Sequence, residues 1–536
     1  MSDSREWSVE ESERRTHEEG FTAGFNPWVI ALTVTLATFM EVLDTAIANV
    51  SLPHIAGSLS VGVDESTWVL TSYLVSNAII LPVSGWISNR MGRKRFYMMC
   101  VTLFTISSFL CGIAPNLASL IFFRVLQGLG GGGLAPSEQA ILADTFPPAK
   151  RGMAFAVYAM AVVLAPAIGP TLGGYITDNY SWRWVFFINI PVGILSLLLS
   201  ARILQDPPHL AKVKANPGSI DFVGLGLIAI GLGTLEVVLD KGQQDDWFAS
   251  RFIFGFAVTS AVALISFVFW EWRQEHPVVD VRLFRNRNFA VSNLMMLVLG
   301  IALYGTTVLL PQYVQVWMGY SAQDAGMVLS PGGVVVIFLL PIVGQLVSRV
   351  DARYLIAFGF TVLSISLYHM ARTIYPGMDF RTAVELRMFQ SVGIAFLFVP
   401  INTTVYAGIP PSRSNQVSGI VNLARNMGGD IGIAMVTTII ARRAQFHQAQ
   451  LASGADPDGH LLRDRLAGIA NALQHAGASA VTATHQAYGA VYRQLLQQAQ
   501  TLAYLDALFI FAVFAAIMVP LVLFTRRSEG HAPAAH

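Results

Sequence analysis

"LPVSGWISNRMGRKR", residues 81–95, has a counterpart 259 positions later in "LPIVGQLVSRVDARY", residues 340–354. The two align without a gap, setting Leu81 on Leu340, Pro82 on Pro341, Gly85 on Gly344 and Arg90 on Arg349. A second echo places "RVLQG" beside "RMFQS", with Arg124 on Arg387 and Gln127 on Gln390, at an offset of 263. Nearly equal offsets in separate apolar runs are what duplication of a helical unit leaves behind.

The composition says where such a unit lives. Of 536 residues, 54% are hydrophobic and 12% charged, too apolar for a soluble protein of this length. A bilayer core needs about 20 apolar residues per helix. Runs of that kind fall at 28–51, 67–88, 96–114, 117–144, 152–175, 184–203, 220–239, 252–271, 289–311, 325–347, 354–371, 383–408, 415–440 and 502–525. These are fourteen spans, and an even number returns both termini to one side. Short connections on one side carry Arg90/Arg93/Lys94/Arg95, Lys150/Arg151, Arg202/Lys212/Lys214, Arg273/Arg282/Arg285/Arg287, Arg349/Arg353 and Arg413. The intervening ones hold only Arg183, Lys241, Arg251, Arg372 and Arg381. Basic loops stay inside, so the termini are expected in the cytoplasm.

Other classes find little support. A net charge of +1 gives no electrostatic footprint for nucleic acid. Cys100 and Cys111 sit in one apolar run, and the scattered histidines have no metal-ligand spacing, so neither disulfide nor metal is expected. Gly128, Gly130 and Gly133 match GxGxxG, but inside a span and without a preceding strand. There is no GxxxxGK[ST], and no nucleophile, base and oxyanion-hole set, which argues against an enzyme and against an ATP site on this chain. The acidic first 25 residues are neither signal nor transit peptide and read as a cytoplasmic tail.

The motifs narrow the reading. The basic turn "GWISNRMGRKR", the "RVLQG" helix, "LAPAIGPTLGG" (164–174) and "LDTAIANVSLP" (43–53) together resemble the major facilitator superfamily, and within it the fourteen-helix drug:proton antiporters of the EmrB/QacA type, nearest the EmrB branch. "SWRWVFFINIP", "IDFVGLGL" and "LDKGQQDDWF" fit the same family, so the resemblance covers essentially the whole chain. It implies an all-α integral membrane fold. The parts would be a cytoplasmic tail (1–27), an N-terminal six-helix bundle (28–203), two inserted helices with their linkers (204–288), a C-terminal six-helix bundle (289–525) and a cytoplasmic tail (526–536). It further implies export of small amphipathic or hydrophobic drugs across the bacterial inner membrane, driven by the proton gradient with no cofactor.

Each motif also has a physical reading. Cations in the 81–95 turn (Arg90, Arg93, Arg95, with Gly85 and Gly92) can bridge to the neighbouring bundle as a latch present in one of two conformations. Asn89 stands where the family carries an acid. Pro166, Gly169, Pro170, Gly173 and Gly174 permit bending and close backbone approach; the resemblance makes them the antiporter motif.

Glu41 and Asp44, three residues apart in the first span, share a helix face, and a charge at bilayer centre costs roughly 2.5–3.5 kcal/mol. Two carboxylates in a low-dielectric cavity resist simultaneous ionisation, so a proton can be loaded and released there. Arg124, the lone cation inside the fourth span, is the natural partner of Asp44; a purely structural pair is the alternative. Asp44 is expected to couple protons, with Glu41 selecting cations or serving as a second proton site. Glu138, Glu236 and Asp430 are fallbacks, and Arg425 with Asp430 are latch or structural residues. Tyr73, Asn77, Phe123, Tyr304, Gln312 and Asn402, with Glu41, are candidate cavity residues.

The connection 441–500 should be helical and lie outside the membrane. Leu462, Leu466, Ile469 and Leu473 form one stripe, Tyr488, Tyr492, Leu495 and Leu502 another. Such a surface suits either an adaptor protein or packing over the outer mouth, and the resemblance to the EmrB branch implies a periplasmic adaptor and an outer-membrane channel. The alternatives to drug export are a dedicated exporter of one metabolite, such as a siderophore or fatty acid, and a non-transporting scaffold or sensor.

Overall fold

In lipid a backbone must satisfy its own hydrogen bonds, and every regular element among the described residues is helical. The computed structural model describes residues 25–206, 221–410, 413–454 and 459–525. The acidic tail up to residue 24, the linker carrying Lys212 and Lys214, and the tail from residue 526 lie outside them.

The long helices are α1 (Pro27–Leu59), α2 (Trp68–Met91), α3 (Arg93–Gly112), α4 (Leu117–Thr145), α5 (Pro148–Asn179), α6 (Trp184–Ile203), α7 (Phe222–Lys241), α8 (Arg251–Arg273), α9 (Arg287–Met318), α10 (Ala322–Leu346), α11 (Ala352–Thr373), α12 (Phe380–Val405), α13 (Ser414–Gly454) and α14 (Ala480–Val522). Thirteen are long and apolar enough to cross a bilayer. The exception, α13, carries Arg425, Asp430, Arg442 and Arg443, which dilute its hydropathy, yet it packs along α9, α14 and α2.

Local chemistry sets the boundaries. Asn26 caps α1 by accepting from the Trp28 amide, with Pro27 opening the helix. Ser321 and Asp324 form a capping box at the start of α10. Gly92, at φ 92°, makes the turn between α2 and α3 that a side chain would strain.

The duplication seen in the sequence recurs in the packing. In the first half α1 lies on α5, α2 on α4, α3 on α4 and α6 on α3; in the second, α9 lies on α13, α10 on α12, α11 on α12 and α14 on α11. The halves meet through α2 on α13 and, equivalently, α5 on α10. Close approach there needs glycine: a Cβ on Gly85 would sit 2.8 Å from the Asn415 backbone, and one on Gly152 would sit 2.6 Å from the Gly344 oxygen. Gly85 and Gly344 are the glycines matched in the 81–95 repeat. The inserted pair is peripheral. α7 packs on α2, and α8 on α7, leaving Phe252, Phe254, Val258, Val262, Ile265 and Phe269 exposed as a lipid-facing side.

Two helices overrun the bilayer. α13 has 41 residues and α14 has 43, each about 60 Å long against a hydrocarbon core of about 30 Å. The 441–500 connection is therefore the continuation of α13, a separate helix His460–His475, and the first half of α14. Leu466, Ile469 and Leu473 pack on Ala483 and Ala487 of α14, so the first stripe is used within the projection. Tyr488 and Tyr492 of the second stripe are exposed.

Candidate functional site

Asp44 is 1% and Arg124 0% exposed. Asp44 Oδ2 accepts from Arg124 Nη1 at 2.6 Å; Oδ1 accepts from Gln127 Nε2 at 3.0 Å and from Asn189 Nδ2 at 2.6 Å. Arg124 Nε donates to the Val69 carbonyl at 3.0 Å, and its guanidinium stacks over the Tyr73 ring, 4.3 Å from the centroid. Ser108 accepts from both Gln127 and Asn189. Five helices of the first half, α1, α2, α3, α4 and α6, thus converge on one carboxylate. Gln127, Asn189 and Ser108 were missed in sequence; "RVLQG" held the first, three residues from Arg124 on one helix face.

Glu41 does not share this partner. One turn away, its Oε1 accepts from Tyr73 Oη at 2.9 Å and Asn77 Nδ2 at 3.2 Å. The two acids have separate settings, one ion-paired and one held by neutral donors.

The second half repeats the arrangement without the acid. Arg387 Nη1 donates to Gln390 Oε1 at 2.8 Å, as Arg124 does to Gln127 at 2.7 Å. Gln390 Nε2 then meets Thr306 Oγ1 at 2.7 Å where Gln127 meets Asp44.

The basic-turn residues divide. Arg93 is buried and pairs with Asp144 at 2.5 Å, and Ser414 of the second half donates to the same carboxylate at 3.3 Å. Asn89 Oδ1 accepts from Asn415 Nδ2 at 2.6 Å, so a neutral hydrogen bond joins the halves at the position where Asn89 replaces the family's acid. Arg90 lies over the Trp86 ring, and Arg95 is exposed. Further in, Tyr158 donates to Asn422 at 2.9 Å and Asn422 to Gln139 at 2.9 Å, and Gln139 donates to Asn402 at 3.2 Å. Arg425 Nη1 meets the Tyr158 hydroxyl at 2.5 Å, whereas Asp430 faces Glu236 of α7. Arg425 and Asp430 therefore do not pair with each other. The bonds joining the halves run through the part nearest the basic loops.

The motif helix α5 lies between α1 and α10. A Cβ on Gly169 would strike Ala46 and one on Gly173 would touch Ile47 at 3.0 Å, while Gly174 has open space. Pro166 and Tyr304 line a small cavity between the halves. Of the other cavity candidates, Tyr73 and Asn77 hold Glu41, and Asn402 belongs to the closed end. Phe123 packs in the apolar cluster around Leu43 and Ile47, and Gln312 is exposed near the end of α9. Phe123 and Gln312 do not join the rest. Glu138, fully buried on α4, accepts from Thr35 at 2.5 Å. The glycines 128–133 bring α4 against Tyr73, Asn77, Cys100 and Phe104, so the GxGxxG match is a helix-packing surface.

Comparison with known proteins agrees with this architecture. The profile of the Major Facilitator Superfamily matches residues 34–433. The chain belongs to this superfamily. It is 39% identical over 429 residues to the multidrug export protein EmrB of Escherichia coli K12, covering 80% of this chain and 83% of that one. It is 38% identical over 441 residues to the fatty acid resistance protein FarB of Neisseria gonorrhoeae, covering 82% and 86%. Among solved structures, the proton:xylose symporter XylE superposes with a TM-score of 0.61 at 14% identity, over 95% of this chain and 98% of that one, a likeness of fold alone. Membership makes this major facilitator protein a multi-pass membrane transporter rather than an enzyme.

Proposed function

We propose that this chain is a proton-coupled antiporter of the inner membrane that exports amphipathic or hydrophobic drugs from the cytoplasm. The observation that carries the reading is the buried Asp44–Arg124 pair at the meeting point of five helices. A buried ion pair gains little stability over an apolar pair, so its retention favours a switching role. Protonating Asp44 removes the charge that Arg124, Gln127 and Asn189 are arranged around, and α1, α4 and α6 are then free to shift against one another. In the conformer described here the basic end is closed. Loading a proton from the outside, opening the basic end, releasing the proton inside and taking drug in its place returns the cycle, with two bundles rocking about the cavity at Pro166 and Tyr304.

The positive-inside pattern supports cytoplasmic termini, and the proton gradient supplies the energy without a cofactor. Tyr488 and Tyr492 on the projection offer a surface for a periplasmic adaptor leading to an outer-membrane channel. Similarity to EmrB, named a multidrug export protein, supports a broad substrate range. Similarity to FarB, named a fatty acid resistance protein, favours a narrower second reading, export of one acidic metabolite.

The test is reconstitution in liposomes under an imposed pH gradient, following a fluorescent cationic dye with wild type, Asp44→Asn and Glu41→Gln. Loss of gradient-driven movement in Asp44→Asn, with dye binding retained, is expected. Wild-type transport by Asp44→Asn would sink the reading.

A further inference from the structure

The duplicated site is not electrically symmetric. In the first copy Asp44 neutralises Arg124; in the second, Thr306 takes the place of Asp44 beside Gln390, and Arg387 has no carboxylate within ion-pair distance among the described residues. Arg387 is 7% exposed, donates only to Thr306, Thr307 and Gln390, and its Nε has no partner among the described residues. A buried guanidinium without a counter-ion is costly, and none of these neutral acceptors offsets its charge.

Arg387 also borders the small cavity, together with Leu303, Tyr304 and Thr307 of α9, Leu329 of α10, and Pro166 and Ala167 of the antiporter-motif helix α5. One wall of the cavity belongs to the first half and the other to the second. Rocking of the halves therefore sets its width.

We infer that Arg387, with Thr306 and Thr307, binds the carboxylate head group of an amphipathic substrate whose apolar body lies along Pro166, Leu303 and Leu329. A guanidinium takes a carboxylate through paired N–H donors, and the two hydroxyls can complete its acceptor set. The missing acid of the second copy is then supplied by the ligand. Cations would be held near Glu41 and carboxylates at Arg387, at separate places between the helices. This inference rests on the export reading above.

Equilibrium binding tests it at one pH with no gradient. Purified protein in a non-ionic detergent is titrated with radiolabelled laurate, displaced by laurate, dodecanol, dodecylammonium or dodecyl phosphate, all of the same chain length. Laurate is expected to displace at least about tenfold better than dodecanol, and to lose about tenfold or more in Arg387→Gln. Thr306→Asp, which rebuilds the internal counter-ion of the first copy, should lose as much, while Arg387→Lys, which keeps the charge and loses the paired donors, should fall between wild type and Arg387→Gln. Retained binding of the cationic dye by each variant shows an intact cavity. Unchanged laurate binding in Arg387→Gln and Thr306→Asp overturns the inference, as does equal displacement by all four ligands. Preference for dodecyl phosphate over laurate overturns it in favour of a phospholipid head group. Failure of gradient-driven transport in the wild type would remove the export reading and leave the binding result standing.

Discussion

Asn89 of α2 accepts a 2.6 Å hydrogen bond from Asn415 of α13, two residues 326 apart in sequence, where Gly85 lets α2 lie on the α13 backbone. The bond ties the two halves at the basic end and does so without charge. A net contribution of about 0.5–1.5 kcal/mol is typical for such a bond. Asn89→Ala should therefore shift the balance toward the basic-end-open conformer by about 2- to 12-fold. Spin labels at the exposed positions Met91 and Ser348 would report it as growth of a longer-distance population. An unchanged distance distribution would mean the closure rests on the glycine contacts and the other bonds between the halves.

Those glycine contacts make a second prediction. Gly85→Val and Gly344→Val place side-chain atoms where backbone now lies: a Cβ is 2.8 Å from Asn415 and 3.0 Å from Gly152 and Met153. Both should wedge the basic end open and reduce dye transport by about tenfold or more, since overpacking costs typically 1–3 kcal/mol in the closed state alone. Gly174→Ala, with nothing within 4 Å, should transport as wild type does. Proteoliposome flux for the three variants is the measurement, and equal losses in all three would show that the effect is general misfolding.

Much of this was legible before any coordinates. Apolar runs of membrane length gave the helices, because lipid leaves the backbone no other partner. The offsets of 259 and 263 gave the two halves. The "LD" and "RVLQG" motifs gave the Asp44–Arg124 pair. Two things were hidden for physical reasons, and a third lay within reach. Asn415 and Ser414 sit more than 250 residues from Asn89 and Asp144, and only packing brings them together. The overrun of α13 and α14 is polar, so hydropathy marked where the apolar spans stop and not that each helix runs on unbroken past them. Thr306 was overlooked although the repeat led to it: it lies 262 positions after Asp44, an offset between the two already found.

Breaking the central pair should cost stability as well as coupling. Asp44→Asn strands Arg124 at 0% exposure, and an uncompensated buried charge typically costs about 3–5 kcal/mol. The double variant Asp44→Asn/Arg124→Gln removes the stranded charge and should recover most of the lost thermal stability while remaining unable to couple transport to a pH gradient. Thermal unfolding in detergent alongside flux separates the two effects. Recovery of gradient-driven flux in the double variant would show that Asp44 is not the proton site.

The projection makes the last prediction. Its inner stripe is occupied, with Leu466, Ile469 and Leu473 packed on Ala483 and Ala487, whereas Tyr488 is 60% and Tyr492 53% exposed on the outer face of α14. Large aromatics held outward on a helix fixed from behind have the character of interface anchors. Tyr492 also accepts from Gln448 of α13 at 3.0 Å, which links the exposed face to the helix pair that enters the membrane. Tyr488→Ser together with Tyr492→Ser should leave flux in liposomes within about twofold of wild type, because neither ring touches the transport cavity. The same variant should lower drug resistance of whole cells toward that of Asp44→Asn, because export would lack its onward path. Comparison of the two assays decides: unaltered whole-cell resistance would mean the stripe meets no partner and the projection only packs on itself.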